Sequence, residues 1–190
     1  WEHTDEGLVF VQNGDTLQAS VYAIAQTSEG LISGSHSTVY FSDDDGYTWE
    51  TTEDYHGVIE FANLGNVWYG LTYSGGAGDH SIIRSTDGGH SWHLFFQRNS
   101  DRYATCLSKI DDQLFIGTNE GIYKVLDDNS GMTQITERIS RFPHITSILI
   151  HQDSFMVGTF GNGVWKRAVN DPINNVETFK NDLKVSVYPN

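Results

Sequence analysis

Nine residues carry side chains suited to gripping a ligand: Tyr55, His56, Tyr73, His80, Arg102, Tyr103, Arg141, His144 and Phe160. Aromatic rings beside arginine and histidine stack on sugar rings or hold a carboxylate. All nine fall between apolar runs, in connecting segments, which carry function more often than the strands they join. The competing role for them is to cover the ends of the packed elements. Reaction chemistry is harder to find. Cleaving a glycosidic bond with two carboxyl groups requires an opposed Asp/Glu pair. The acidic pairs here, Asp44/Asp45, Asp111/Asp112 and Asp127/Asp128, read as solvated turn residues. His90 and His93 have odd spacing, so on a strand they face opposite ways and do not share a metal. No nucleophile elbow, phosphate loop or HExxH is present. The single cysteine, Cys106, lies in the apolar run 104–110 and reads as a small packed residue rather than a reactive thiol. The sequence predicts no metal and no cofactor, and it leans against catalysis by this chain.

Composition narrows the partners. Eleven Lys+Arg against 25 Asp+Glu give a net charge of −14 over 190 residues. Such a surface repels phosphate backbones and anionic lipid, which argues against nucleic acid and membrane surfaces. The apolar stretches are strand-sized, as at 145–150, so no bilayer insertion is expected. Hydrophobic residues at 38% and aromatics at 13% are too abundant for a disordered chain.

The elements that position these side chains come from a repeat. Ser42-Asp43-Asp44-Asp45-Gly46-Tyr47-Thr48-Trp49 and Ser85-Thr86-Asp87-Gly88-Gly89-His90-Ser91-Trp92 share the pattern S-x-D-x-G-x-[ST]-W, 43 residues apart. Upstream of each lie similar apolar runs. A second run with an internal glycine recurs at Gly34, Gly70, Gly117 and Gly158. A third run aligns Tyr40, Ile83, Tyr123 and Trp165, at gaps of 43, 40 and 42 residues. Each unit reads as four short strands; in the first these are 21–26, 30–34, 38–42 and 47–51. Four-stranded units at a period of about 40–45 residues mark propeller blades. The fold class is therefore all-β: a β-propeller of four-stranded antiparallel blades, about four of them present.

The two S-x-D-x-G-x-[ST]-W segments resemble Asp-boxes, or BNR repeats, found in sialidases, xyloglucanases, sortilin-type receptors and photosystem assembly factors. The resemblance implies that Ser42, Asp44, Gly46 and Trp49, with Ser85, Asp87, Gly89 and Trp92, close the hairpin between third and fourth strands opposite the binding face. Physics agrees with a structural role. Asp and Ser cap turn N–H groups, glycine takes positive φ, and Trp pins the hairpin. A calcium loop is the less favoured alternative for these carboxylates. In propellers the opposite loop face builds the ligand site, and the nine residues above fall there. A sialidase-like site would further need an arginine cluster. Arg84 and Arg167 fall on third strands, and Arg141-Phe142-Pro143 does not match the F/Y-R-I-P phrase of that family.

Both ends carry a reading. Trp1-Glu2-His3-Thr4 resembles Trp49-Glu50-Thr51-Thr52, which makes residues 1–6 a strand remnant. Either it completes the last blade of a four-bladed ring, or the chain is the C-terminal piece of a larger propeller; the second is favoured. Blades are placed at about 17–54, 57–98, 103–139 and 143–169, followed by a linker and tail over 170–190. The closing Val185-Ser186-Val187-Tyr188-Pro189-Asn190 resembles the start of the type A sorting domain that Bacteroidetes use for type IX secretion. The resemblance implies an extracellular or outer-membrane surface location. The expected function is a non-catalytic exported binding module with a carbohydrate or protein ligand at its loop face. Further blades of the same protein are expected as neighbours. The alternative is the C-terminal part of an Asp-box glycoside hydrolase, with its catalytic residues elsewhere.

Overall fold

A computed structural model describes residues 10–12, 15–17, 20–53, 57–72, 80–97, 103–127, 130–135 and 144–170. Among them every regular element is a strand. A hairpin of β1 (Phe10–Gln12) and β2 (Asp15–Leu17) comes first, in a stretch to which the sequence assigned no element. Four antiparallel sheets follow in chain order. The first holds β3 (Val21–Gln26), β4 (Leu31–Ser35), β5 (Val39–Ser42) and β6 (Glu50–Glu53). The second holds β7 (Val58–Leu64), β8 (Val67–Thr72), β9 (Ile82–Ser85) and β10 (His93–Phe96). The third holds β11 (Ala104–Ile110), β12 (Gln113–Thr118), β13 (Ile122–Val125) and β14 (Met132–Gln134). The fourth has three described strands, β15 (Ile145–His151), β16 (Ser154–Thr159) and β17 (Gly163–Ala168).

Turn chemistry fixes the register. Two residues separate the first and second strands of the last three sheets, and Gly65, Asp111, Gln152 and Asp153 there take positive φ. Tight two-residue turns demand such angles, because their twist matches that of the flanking strands. In each sheet the first strand then bulges at one place, opposite the end of the second strand. The register shifts between Val21 and Ala23, Val58 and Glu60, Ala104 and Cys106, and Ile145 and Ser147.

The pairing bears out Tyr40, Ile83, Tyr123 and Trp165 as equivalent, opposite Ser33, Gly70, Ile116 and Val157. It corrects one glycine. Gly34, Gly117 and Gly158 share a position that Leu71, not Gly70, occupies in the second sheet. A second correction concerns the fourth strand of the first unit. It starts at Glu50 rather than Tyr47, because Thr48 and Trp49 are bonded into the preceding turn.

The sheets stack through their first two strands: β3 and β4 on β7, β7 and β8 on β11, and β11 and β12 on β15. Each junction has its own apolar core. Ile32, Val39 and Phe41 meet Val58, Ile83 and Trp92. Tyr69, Leu71 and Ile82 meet Ala104, Leu107 and Tyr123. Phe115 and Ile122 meet Ile145, Ile148 and Val157. The second and third sheets thus bury one face on their predecessor and the other on their successor, as stacked repeats do.

A carboxylate also ties two sheets. Glu60 on β7 accepts a hydrogen bond from the Leu107 N–H on β11, at 2.9 Å. Burial pushes the Glu60 carboxyl above its ordinary range, and that N–H only partly offsets it. A native pKa above the unfolded value means the folded state holds the proton more tightly. The stabilising contribution is then present below the unfolded value and lost as pH rises through the native one. Glu60→Gln keeps a carbonyl for Leu107 and removes the charge. Its melting temperature should exceed that of the parent by about 1–2 °C at neutral pH, with the gap closing toward pH 4. A constant gap across that range would show that the charge is not responsible.

Candidate functional site

The two S-x-D-x-G-x-[ST]-W segments occupy the turns between β5 and β6 and between β9 and β10. In the first, Ser42 Oγ donates to Asp44 Oδ1 at 2.9 Å and accepts from the Gly46 N–H at 2.9 Å. Asp44 accepts from the Thr48 N–H at 2.8 Å and the Thr48 hydroxyl at 2.7 Å. Trp49 Nε1 donates to the Gly46 carbonyl at 3.0 Å. The second turn repeats this with Ser85, Asp87, Gly89, Ser91 and Trp92. The Thr48 N–H and hydroxyl, aided by Ser42, hold the Asp44 carboxyl below its usual range. Burial pulls the Asp87 carboxyl upward, but the Ser91 and Ser85 donors outweigh it and hold the group at about 2. In each turn both carboxylate oxygens are engaged by the turn's own donors. Among the described residues no three His, Cys, Asp or Glu side chains converge as a metal site would require.

At the opposite end of the sheets four rings form a row. His80 precedes β9, Tyr103 precedes β11, His144 precedes β15, and Phe160 follows β16. Ring centroids are 6.3 Å apart for His80–Tyr103, 6.3 Å for Tyr103–His144 and 6.1 Å for His144–Phe160. The row crosses three sheets. The first three rings are half-buried, and Phe160 is 77% exposed. Backbone bonds hold the bearing segments in place. The Ala104 N–H donates to the His80 carbonyl at 3.2 Å, and the Phe160 N–H donates to the His144 carbonyl at 2.8 Å. Tyr103 and Asn119 exchange bonds: the Tyr103 N–H to Asn119 Oδ1 at 3.0 Å, and the Asn119 N–H to the Tyr103 carbonyl at 3.3 Å. His80 Nδ1 lies 3.2 Å from the Thr72 carbonyl. Burial lowers the His80 pKa; the Thr72 carbonyl opposes this and the nearby His144 charge adds to it. His80 is thereby kept neutral near pH 7.

Four of the nine sequence-predicted ligand residues are therefore brought together. The other five, Tyr55, His56, Tyr73, Arg102 and Arg141, lie outside the described residues. Arg84 is on β9 with its guanidinium 5.4 Å from the Phe95 ring centre, on the body of the sheet. The sequence reading missed a tilted Tyr22–His36 ring pair in the first sheet, with centroids 6.4 Å apart. It also missed a hydroxyl at the last position of every second strand: Ser35, Thr72, Thr118 and Thr159. Each donates to a carbonyl just across the next turn, to Thr38, Ser81, Gly121 and Gly163 respectively. Two of these bonds, from Thr72 and Thr159, tie down the segments that bear His80 and Phe160. The signal was present in the sequence as Ser or Thr ending each second run.

No family model and no curated protein matches the chain. Solved structures do. Over 94% of its length the chain aligns with 29% of PorZ, an essential surface component of the type-IX secretion system of Porphyromonas gingivalis, at 15% identity and a TM-score of 0.58. It aligns over 72% of its length with 21% of an ancestral GH74 enzyme, at 15% identity and a TM-score of 0.56. Over 85% of its length it aligns with 49% of the computationally designed protein Ika8, at 13% identity and a TM-score of 0.55. The chain thus spans about half of the designed protein and less than a third of the other two. At such identities the likeness concerns fold alone. It is a β-propeller-like, all-β fold.

Proposed function

We propose that the chain is a run of Asp-box propeller blades from an exported protein of the outer-membrane surface, and that its loop face binds a carbohydrate or peptide. The observation that carries the reading is the row His80–Tyr103–His144–Phe160. Four rings at about one stacking distance from each other, on three separate sheets, give a ligand several apolar faces along one line. Neutral imidazole at His80 adds a hydrogen-bonding group without a charge to desolvate. Sugar rings present C–H faces and hydroxyls together and match that mixture. The export reading is supported by the Val185–Asn190 resemblance and by the fold likeness to PorZ. The alternative, part of a glycoside hydrolase, draws on the likeness to the GH74 enzyme. It calls for two opposed carboxylates beside the ligand, whereas the row consists of imidazole and aromatic groups.

Binding of sialyl and β-glucan oligosaccharides, measured by calorimetry on the full chain, tests the site. Tyr103 stands in the middle of the row, and Tyr103→Ala is expected to weaken binding about tenfold or more. His36→Ala, at the far pair, serves as the control. Unchanged affinity in Tyr103→Ala would remove the site, and hydrolysis of the oligosaccharides would favour the enzyme reading.

A further inference from the structure

The ring row alternates imidazole with six-membered rings: His80, Tyr103, His144, Phe160. The described lysines and arginines stand elsewhere. Arg84, Lys109, Lys124, Lys166 and Arg167 all lie on strands, and Lys109 and Lys124 reach Asn63 and Asp127, toward the Asp-box end. Among the described residues, positive charge in the row comes from its two histidines alone. They are held differently. His80 Nδ1 lies 3.2 Å from the Thr72 carbonyl. Burial disfavours its cationic form, against the pull of that carbonyl, and His144 adds to the burial effect. His144 is half-buried between Tyr103 and Phe160, and among the described residues no carboxylate or carbonyl bonds its ring. The charged and titratable groups facing it are His80 and Tyr103; Phe160 brings none. Glu120, in the turn after β12, is the described carboxylate of the neighbouring sheet's loop, and its N–H donates to Thr118 Oγ1.

We propose that His144 sets the charge selectivity of the row: neutral, it lets the row take uncharged sugars, and protonated, it turns the row toward sugars that carry a carboxylate. The inference rests on the row being the ligand site. A neutral imidazole offers one donor and one acceptor, which suits sugar hydroxyls, whereas the cation offers two donors. Two donors and a positive charge suit a carboxylate, and such charge-assisted bonds are the stronger kind. Histidine makes this change in mild acid. In mild alkali the row has no described cation to offset a carboxylate, and a chain of net charge −14 repels it. Because His80 is held neutral, His144 is the imidazole that takes up the charge.

Calorimetry on the full chain with two matched tetramers tests it, one of β-1,4-linked glucose and one of β-1,4-linked glucuronic acid. The acid tetramer should bind about tenfold more tightly at about pH 5 than at about pH 8, while the glucose tetramer changes little. Acidification also reduces the negative charge of the whole surface, so the local effect needs a variant. His144→Gln keeps a hydrogen-bonding head that does not titrate. Loss of the ring should weaken both tetramers alike at about pH 8, and most of the acid tetramer's gain at about pH 5 should disappear. His80→Gln should keep most of that gain. An undiminished gain in His144→Gln would overturn the proposal. So would an acid tetramer bound equally well at both pH values, which would assign its counter-charge to Arg102 or Arg141. If the glucose tetramer binds and the acid tetramer never gains, the site stands and the selectivity falls. If neither tetramer binds at either pH, the site itself falls and the selectivity with it.

Discussion

Trp92→Ala should lower the unfolding free energy by about 3–5 kcal/mol, the cost of removing a large aromatic from a packed core. Trp92 is fully buried and belongs to the core joining the first and second sheets, where its ring lies 5.6 Å from that of Phe61. Its indole N–H also donates to the Gly89 carbonyl at 3.1 Å, so the substitution loosens the turn as well as the junction. Trp49 fills the same place in its own turn and makes the same bond, but its neighbours are Tyr40 and Leu31 on the outward face of the first sheet. Among the described residues that core is the smaller one and no four-stranded sheet packs on it, although Trp49 is itself only 4% exposed. Trp49→Ala is therefore expected to cost distinctly less, about 2 kcal/mol. Urea unfolding of the two variants beside the parent measures the difference. Equal losses would mean that the tryptophans act through their turns alone and that the junction core adds nothing.

That contrast marks how far the sequence could be read. The period, the strand runs and the equivalence of Tyr40, Ile83, Tyr123 and Trp165 are local signals, written in apolar alternation and turn residues, and they were legible. The environments of the two tryptophans were not, because they depend on which sheet comes next. The start of β6 was misjudged for a related reason. Tyr47-Thr48-Trp49 has strand composition, yet Asp44 claims the Thr48 N–H and hydroxyl for the turn. The ring row was half legible. His80, Tyr103, His144 and Phe160 were marked by residue type in connecting segments, but their alignment across three sheets follows from the stacking. Tyr22 escaped notice because a bulge after Val21 breaks the strict alternation by which its side chain would be assigned to a face. The hydroxyls at Ser35, Thr72, Thr118 and Thr159 escaped because Ser and Thr are unremarkable at strand ends until their acceptors are known.

Gly34→Ala should destabilise by more than Gly70→Ala, although both glycines lie in the second strand of neighbouring sheets. A methyl group on Gly34 would run into the Val58 carbonyl oxygen, a backbone atom of the next sheet. Relief would require the first and second sheets to separate, which loosens the core containing Ile32, Val39 and Trp92. A methyl on Gly70 would meet side-chain carbons of Ile83 and Val58 at 3.2 and 3.3 Å, and these can give way by a few tenths of an ångström. Overpacking costs of this kind run at about 1–3 kcal/mol. Gly34→Ala belongs at or above the top of that range and Gly70→Ala at or below the bottom. The same reasoning explains the exchange in the second sheet. Leu71 stands where Gly34 and Gly117 stand elsewhere, and it shares a core with Ala104, which replaces the larger Val58 and Ile145 of the other junctions. One side grows as the other shrinks, keeping the spacing between sheets within what side chains can fill. Two further variants separate this from a general intolerance of the strand. Leu71→Gly alone should open a cavity and cost about 3 kcal/mol or more, through lost packing and added backbone freedom. Combining it with Ala104→Val should recover part of that loss, because the added methyl groups grow into the space the leucine leaves. Thermal unfolding of the parent, Leu71→Gly, Ala104→Val and the double variant decides the matter, and strictly additive losses in the double variant would show that the two positions do not face each other across the junction.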